Sequence, residues 1–459
     1  AAFRKVVSRG VHRMGSFREN KTFHTLILLV DVVIVLLSYY AAFYIRFSIG
    51  DIPMRNMNAY VNLLPYMTLI AVFVLLVYDL YTVPRKMTSE TFSSVFVAVL
   101  VIAGLIGLAS FLFRQLAFPR SIILIGSIIA IATLLLWLSF ISIFAQRKKK
   151  RVLIIGTEKE IGHIMDKVKN NYPAGTHFKT MAPTSDVSKL IHGVNAVDVV
   201  LLCDSLDKRV REQIIHHSVN THAHVFVVPD TYDLMLTGAE ATAFDDLLVL
   251  SVNDLKLEPE QHLVKRLCDL VFSLTLIVVT LPVMLLTALA LKISEPQAPV
   301  IYKQRRMTMN DKEFNIYKFR TMIPDAESDT GPVLAAKDDA RITKIGKFLR
   351  ATRIDELPQL FNVLKGDMSV VGPRPERPHF TKIYKKQYGT YRYRSAVKAG
   401  LTGLAQVAGK YETDVEDKLR YDLYYIRNYS VLFDIIIIFR TIRVILDKQK
   451  ASGISLKKV

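Results

Sequence analysis

Long apolar blocks dominate the first third of the chain. Four of them are long enough to cross a bilayer as helices, since the hydrocarbon core takes about 20 apolar residues per helix. The pattern therefore predicts a four-helix transmembrane domain over residues 1–150. The four blocks run from Phe23 to Phe47, Leu63 to Tyr81, Phe92 to Phe113, and Ser121 to Ala145.

Shorter apolar runs alternate with helix-like polar stretches over the next hundred residues. RVLIIGTEKEIGHIMDKVKNN is typical of a buried strand, a turn and an amphipathic helix, and VDVVLLCDS and HVFVVPDTYDLM repeat the strand pattern. This alternation predicts a Rossmann-like α/β domain with a parallel sheet over 151–255. Gly156 and Gly162 do not complete a GxGxxG fingerprint, and no acidic residue is evident for a ribose. A spacer or oligomerisation role is therefore favoured over dinucleotide binding.

A fifth apolar block, Leu270 to Leu291, carries a proline near its middle. Basic residues flank both ends, with Lys265 before the block and Lys292 after it, so both ends favour the cytoplasm. Pro282 removes an intrahelical hydrogen bond and predicts a kink. The pattern predicts a re-entrant helix over 265–292 that enters and leaves the same leaflet. An ordinary fifth span with a proline kink is the alternative.

The chain is strongly basic. There are 60 Lys and Arg against 41 Asp and Glu, so the net charge is +19. This excess predicts an anionic partner, which nucleic acid, anionic lipid or a phosphorylated substrate would provide. Basic stretches at the N-terminus, at Arg85–Lys86 and at Arg147–Arg151 predict a cytoplasmic location for those segments. The apolar run after the N-terminal arm is too long for a signal peptide, which predicts a retained anchor.

Two smaller features narrow the classes of site. Cys203 and Cys268 are the only cysteines in the sequence, which excludes a disulfide framework and a Cys-rich metal site.

Asp31 and Asp79 lie inside or at the edge of apolar blocks, where a carboxylate often marks function. Pairing with a cation such as Arg46 would explain these two residues equally well.

The C-terminal third holds most of the excess positive charge. Residues 300–459 contain 31 Lys and Arg and 18 Asp and Glu, so the anionic partner is expected there. No nucleic-acid-binding motif accompanies these residues, which favours lipid headgroups and sugar nucleotides. Near the end, an apolar stripe at helical spacing predicts an interfacial amphipathic helix, with a buried core helix as the alternative. The stripe consists of Leu432, Ile435, Ile436, Phe439, Ile442 and Leu446.

TRIDELPQLFNVLKGDMSVVGPRP places Asp355 and Glu356 side by side within this basic region. One carboxylate can attack phosphorus once the target's charge is neutralised, and a second can hold Mg²⁺. Neighbouring residues converge near a helix start, which Pro358 indicates here. The structural alternative is a capping Asp355 and a solvated Glu356, but the surrounding basic run and Pro-Arg-Pro turn favour a site. The arginines close enough in sequence to clamp a phosphate are Arg350, Arg353 and Arg374.

These motifs resemble those of the bacterial sugar transferase, or monotopic phosphoglycosyl transferase, superfamily. The matching stretches cover 262–459 and include a Lys-Arg pair before a proline-containing apolar helix, YKFRTM, DELPQLFNVLKGDMSVVGPRPE and GLTGLAQVAGK. The resemblance implies a mainly α catalytic domain with a re-entrant membrane helix and interfacial amphipathic helices. With the four spans and the α/β domain, the chain is similar to the large members that prime capsule, O-antigen or exopolysaccharide synthesis.

The resemblance implies transfer of hexose-1-phosphate from a UDP-sugar, UDP-glucose or UDP-galactose, to undecaprenyl phosphate, with release of UMP. It makes Asp355 the nucleophile of a phosphosugar-aspartyl intermediate and Glu356 the ligand of Mg²⁺. It also implies a bacterial inner-membrane protein whose α/β and catalytic domains face the cytoplasm. The sugar and the oligomeric state stay open, with a homodimer as one arrangement. The residues that match the family's anion-handling motifs are Lys318, Arg320, Arg353 and Arg374, with Pro373 and Pro375 shaping a turn and Pro282 the helix kink.

Two other classes of function stay open on the sequence. A non-catalytic membrane scaffold or regulator of polysaccharide assembly would use the same spans and basic surface, but it would not need the acidic pair. An NAD(P)-dependent membrane dehydratase would need a glycine-rich fingerprint and a Tyr-x-x-x-Lys motif. Neither Tyr172 nor Tyr232 has a lysine four residues on. The acidic pair therefore favours the transferase.

Overall fold

A computed structural model gives the fold as two compact units, residues 1–229 and 230–459. The N-terminal basic arm, Arg85–Lys86 and residues 147–149, on which the predicted orientation depends, lie outside the described residues. The structure describes residues 21–48, 51–82, 87–115, 117–146, 150–169, 172, 176–184, 186–252, 255–324, 339–409 and 413–446.

Four long helices form the first part of unit one. All four are long and apolar enough to cross a membrane, which confirms the predicted long apolar helices. The first packs against the second and fourth, and the third packs against the second and fourth. They are α1 (Lys21–Arg46), α2 (Met54–Val77), α3 (Ser89–Leu112) and α4 (Arg120–Gln146).

Close approach between α1 and α4 depends on small side chains. A Cβ at Gly126 would lie 2.6 Å from the ring of Tyr39, so glycine is required where the two helices meet. One residue further on, the Ser127 and Tyr39 hydroxyls lie 3.1 Å apart.

Asp31 of α1 is fully buried within this packing. Within the described residues, neither of its carboxylate oxygens has a hydrogen-bond partner. Arg46 donates instead to the Ser121 hydroxyl at 3.2 Å. Pairing with Arg46 therefore does not account for Asp31.

A parallel four-stranded sheet with strand order β2-β1-β3-β4 completes unit one and confirms the predicted α/β region. Its two central strands, β1 and β3, are almost wholly apolar and buried, as expected when helices cover both faces of a parallel sheet. The elements are β1 (Arg151–Ile155), α5 (Glu158–Val168), β2 (His177–Met181), α6 (Val187–Asn195), β3 (Val199–Leu202), α7 (Lys208–Val219) and β4 (His224–Val227).

Glu160 bridges the loops that follow β1 and β3, where the strand order reverses and doubly wound sheets bind phosphate. Its carboxylate accepts hydrogen bonds from the Thr157 N–H at 2.8 Å, the Ser205 N–H at 3.1 Å and the Ser205 hydroxyl at 2.5 Å. Partial burial acts to raise the pKa of Glu160, but hydrogen bonds with Asp204, Ser205 and Thr157 lower it to about 2. A side-chain carboxylate thus takes the donors that a bound phosphate would use, which favours the predicted spacer or oligomerisation role.

Unit two begins at residue 230, ahead of the boundary near 255 that the sequence predicted. Its first helix, α8 (Thr231–Leu236), packs Leu234 against Tyr391, Leu419 and Leu423. A hairpin of β5 (Glu240–Phe244) and β6 (Leu247–Ser251) follows.

The fifth apolar block is a helix of 36 residues, α9 (Pro259–Ser294), with Pro282 inside it. It is also long and apolar enough to cross a membrane. The remaining elements are β7 (Ile301–Met307), β8 (Glu313–Phe319), α10 (Lys344–Thr352), α11 (Gln359–Lys365), β9 (Ser369–Val371), α12 (Pro378–Gln387), β10 (Gly400–Thr402), α13 (Leu404–Ala408), α14 (Val415–Arg427) and α15 (Val431–Leu446).

The predicted amphipathic helix near the C-terminus is α15. Phe433, Ile436 and Ile437 on one face are buried within unit two. This packing favours the alternative of a core helix for that face.

Candidate active site

A buried ion pair connects the start of α9, which is predicted to lie in the cytoplasm, to the C-terminal helices. The Lys265 ammonium donates to Asp434 of α15 at 2.6 Å and to the Tyr425 hydroxyl of α14 at 3.2 Å. The Tyr425 hydroxyl in turn lies 2.8 Å from the second Asp434 oxygen. Because both charges are almost fully buried, each depends on the other for solvation, and breaking one partner is costly.

The next residue of α9 holds the helix that follows the acidic pair. The Arg266 guanidinium donates to the carbonyls of Val363 and Leu364, at 2.6 and 2.7 Å, and so caps the C-terminus of α11. One turn further along α9, Asp269 accepts hydrogen bonds from the Ser369 hydroxyl and the Val370 N–H of β9, both at 2.9 Å. The Lys-Arg-x-x-Asp segment therefore fixes α11 and β9 to the long apolar helix.

Asp355 and Glu356 lie in a single 3₁₀ turn, Ile354–Glu356, between α10 and α11. Arg353 ends α10 in the left-handed region, at φ 60° and ψ 13°, which redirects the chain into this turn. Pro358 directly precedes α11. The pair thus sits just before a helix, as Pro358 predicts.

Asp355 is buried, with 7% of its surface exposed. Its Oδ1 has no hydrogen-bond partner within the described part of the chain. Burial and the neighbouring charge of Glu356 raise the pKa of Asp355 to about 6, against the pull of Lys318, Arg350 and Arg353. This carboxylate is therefore poorly solvated when ionised.

Two cations bind the Glu356 carboxylate, one from earlier in the chain and one from later. Its Oε1 accepts from the Lys318 ammonium of β8 at 2.9 Å and from the Arg374 guanidinium at 3.4 Å. Burial acts to raise the pKa of Glu356, but Lys318, Arg374 and Arg353 outweigh it, so this carboxylate stays ionised. The two adjacent carboxyl groups thus differ in basicity.

The Pro-Arg-Pro turn that carries Arg374 is fixed by hydrogen bonds from two arginines. Arg394 donates to the Arg374 carbonyl at 3.0 Å, and Arg306 donates to the Pro375 carbonyl at 3.1 Å. Gly372 comes just before the turn. A Cβ there would lie 2.4 Å from the Lys398 carbonyl, so only glycine allows this approach of the two chain segments.

The structure brings most of the predicted phosphate-binding residues to the acidic pair. Lys318 and Arg374 contact Glu356, and Arg353 belongs to the same turn. Arg320 is buried instead in an ion pair with Glu295, at 3.2 Å. Its role as a phosphate ligand stays a prediction, as does the kink role of Pro282.

Sequence reasoning missed the ion pair that supports the turn. Arg394 donates to Asp422 of α14 at 2.7 Å, and both side chains are buried. The tyrosine- and arginine-rich run YGTYRYR is the segment that holds Arg394. Its cation is used to position the Pro-Arg-Pro turn.

The fold and the site define a membrane protein with an α/β region and a basic unit built around a buried carboxylate pair. Residues 260–448 match the family described as Bacterial sugar transferase. The exopolysaccharide production protein PSS of Rhizobium leguminosarum bv. phaseoli is 42% identical over 186 residues, which cover 92% of that protein and 39% of this chain. This chain belongs to the bacterial sugar transferase family.

Two further relatives are longer proteins. The UDP-N-acetylgalactosamine-undecaprenyl-phosphate N-acetylgalactosaminephosphotransferase of Aeromonas hydrophila is 42% identical over 41% of this chain and 45% of its own length. The UDP-glucose:undecaprenyl-phosphate glucose-1-phosphate transferase of Escherichia coli (strain K12) is 37% identical over 54% of this chain and 53% of its own length. The matched region thus spans about half of these two curated relatives.

Proposed function

We propose that this protein transfers hexose-1-phosphate from a UDP-sugar to undecaprenyl phosphate and releases UMP, as the initiating step of capsule, O-antigen or exopolysaccharide synthesis. The observation that carries the proposal is Asp355, a buried carboxylate whose Oδ1 has no hydrogen-bond partner in the described residues and which lies beside a cation-bound Glu356. A non-catalytic scaffold would have no use for a poorly solvated carboxylate in such a position. The names of the relatives support the same class of reaction.

In the first step, a carboxylate oxygen of Asp355 attacks the phosphorus that bears the sugar. A bond forms between this oxygen and phosphorus, and the bond from phosphorus to the bridging oxygen breaks. UMP leaves with the electron pair, and a phosphosugar-aspartyl intermediate remains. In the second step, an oxygen of undecaprenyl phosphate attacks the same phosphorus and displaces Asp355.

The Lys318 ammonium offers three donors, and its contact with Glu356 uses one of them. Lys318 and the positive charge of Arg374 would bind the diphosphate and reduce its repulsion of the Asp355 carboxylate. Arg353 adds positive charge to the same turn. Electrostatic stabilisation of this kind is the largest contribution in most phosphoryl transfers.

The carboxylate pair also fits a hard divalent cation such as Mg²⁺. Asp355 offers a buried oxygen with no described partner, and the described contacts of Glu356 with Lys318 and Arg374 both use Oε1. Glu356 would hold the ion, which would supply further neutralisation of the diphosphate.

The proposed reaction requires a membrane orientation that joins a cytoplasmic sugar nucleotide to a lipid acceptor. We place the protein in the bacterial inner membrane, with both the α/β and catalytic regions in the cytoplasm. Helix α9 would be re-entrant, bringing the lipid phosphate to the site. Cysteines substituted for Glu260 and Lys292, at its two ends, should then both be labelled from the cytoplasmic face. Labelling from opposite faces would make α9 a complete span.

The test of the reaction uses purified protein in detergent with UDP-glucose or UDP-galactose, undecaprenyl phosphate and Mg²⁺. UMP release should be lost in Asp355→Asn, which removes the nucleophile with little change in shape. Asp417→Asn, which neutralises an α14 carboxylate paired with Arg420, is the matched control and should keep its activity. Unchanged release in Asp355→Asn would exclude the nucleophile, and a panel of UDP-sugars would identify the sugar.

A further inference from the structure

The strand that carries Lys318 has one edge without a neighbouring strand. Within the described residues, β8 pairs only with β7, so the backbone groups along its other edge need a different partner. Two of these groups are the Tyr317 N–H and the Asn315 carbonyl. One side chain bonds both of them, that of Asn362 in the middle of α11.

The Asn362 carboxamide meets this edge as the peptide group of a further strand would. Its oxygen accepts from the Tyr317 N–H at 2.9 Å, and its nitrogen donates to the Asn315 carbonyl at 2.8 Å. The same nitrogen lies 3.4 Å from an oxygen of Asp367, just after α11. A carboxamide offers an acceptor and a donor on one planar group, which an ionised carboxylate or an aliphatic side chain does not. The contact therefore depends on the residue type at this position.

Burial makes the two hydrogen bonds difficult to replace. Asn362 has no exposed surface, so water does not reach the edge of β8 at this point. Without the carboxamide, the Tyr317 N–H and the Asn315 carbonyl would be buried polar groups that lack this partner, which is unfavourable. The contact thus fixes the backbone of β8 against α11.

This fixed contact connects the two sides of the acidic site. Lys318 is the residue after Tyr317, and its ammonium donates to Glu356 at 2.9 Å. Glu356 lies in the turn just before α11, the helix that holds Asn362. A lysine side chain is flexible, so its charge is placed accurately only where its backbone is held.

We propose that Asn362 is a positioning residue for the transfer reaction. Its carboxamide sets the position of Lys318 relative to Asp355 and Glu356, and therefore the positive charge that the diphosphate meets. This inference rests on the proposed function. A purely structural bond would affect only the stability of unit two, whereas a positioning bond also affects the chemical step and the environment of the Lys318 ammonium.

The kinetic test compares variants of the full chain in detergent, with a UDP-sugar, undecaprenyl phosphate and Mg²⁺. In Asn362→Ala, kcat for UMP release should fall about 10- to 100-fold, and KM should change less. The acidic limb of the pH profile should move to higher pH, because the charge of Lys318 lowers the pKa of Asp355 and would lie farther away. Asn362→Asp keeps the volume and the acceptor for the Tyr317 N–H, so it should fold and show smaller changes in the same direction.

A second measurement reports the position of Lys318 without any turnover. The Lys318 side chain is 20% exposed and paired with Glu356, which favours its charged, unreactive form. Acetylation by acetic anhydride, followed at this lysine by mass spectrometry, should therefore be slow in the native chain. It should be about 3- to 10-fold faster in Asn362→Ala, where the pair with Glu356 is loosened.

Asn428→Ala is the matched control, because it removes a carboxamide that donates to the Tyr424 carbonyl at 2.9 Å at the end of α14. It should leave kcat, the pH profile and Lys318 acetylation unchanged. The same result in Asn362→Ala and Asn362→Asp would overturn the proposal, even with lower melting temperatures, since the bond would then be purely structural. If no UDP-sugar is turned over by the native chain but acetylation depends on Asn362, the positioning of Lys318 stands and the proposed transfer fails.

Discussion

The carboxyl group of Asp355 lies where burial and a neighbouring negative charge both oppose its ionisation. Its pKa of about 6 lies well above the ordinary value of 3.8. As a nucleophile, Asp355 reacts only in the ionised form, so the rate of UMP release should be nearly constant above this pKa. Below it, the rate should fall about tenfold for each pH unit. Initial rates between pH 4.5 and 8 would check this, and a flat profile across that range would contradict it.

The raised pKa of Asp355 also predicts how the stability of the fold changes with pH. A carboxyl group whose pKa is raised in the folded state binds more protons there than in the unfolded chain. Its contribution to stability is therefore greatest at low pH and declines as the pH rises through about 6. Asp355→Asn should be more stable than the native chain at pH 8, by about 1–3 kcal/mol, and the difference should shrink toward pH 4. Thermal unfolding at both pH values measures it, and equal stability at pH 8 would contradict the assignment.

Helix α11 is only seven residues long, yet one end follows the acidic pair and the other is capped by Arg266 of α9. Arg266→Met leaves the Val363 and Leu364 carbonyls without this donor and should destabilise unit two by about 1–3 kcal/mol. It should also lower the turnover rate more than the KM for the UDP-sugar, because the turn that carries Asp355 loses its support. Thermal unfolding and steady-state kinetics measure the two effects.

Arg305→Met provides the control for Arg266, since its side chain on β7 is 79% exposed. It removes the same charge and should change stability by less than about 0.5 kcal/mol. Arg266→Lys should restore only part of the activity, because an ammonium does not reproduce the planar fork that spans two carbonyls. Full activity in Arg266→Met would show that α11 does not need this cap.

How well the sequence predicts a feature depends on how far apart along the chain the residues that form it lie. The apolar helices, the buried β1 and β3 strands and the turn before α11 follow from local patterns. The partner of Lys265 is Asp434, far along the chain, and no periodicity indicates which carboxylate meets which cation. The ion pair of Arg320 with Glu295 shows the same limit, because no local pattern indicates that these two residues meet.

The division of the chain into two units leads to a prediction that unit two alone suffices for the proposed transfer reaction. The protein PSS of Rhizobium, most of whose length matches this chain, corresponds to only 39% of it. Residues 230–459 alone should therefore release UMP from the UDP-sugar in the presence of undecaprenyl phosphate. A shorter piece, 260–459, lacks Leu234 and its contact with Tyr391, and it should be less stable. Rates and melting temperatures of both pieces would check this, and an inactive but folded 230–459 would show that unit one is needed.

The left-handed backbone conformation of Arg353 implies a trade-off between the stability of the fold and the turnover rate. Most side chains avoid this conformation at a cost of roughly 1–2 kcal/mol, whereas glycine adopts it freely. Selection for heat resistance alone would thus favour glycine at this hinge. The Arg353 guanidinium instead adds positive charge beside Asp355 and Glu356. Arg353→Gly should therefore raise the melting temperature and lower the rate of UMP release.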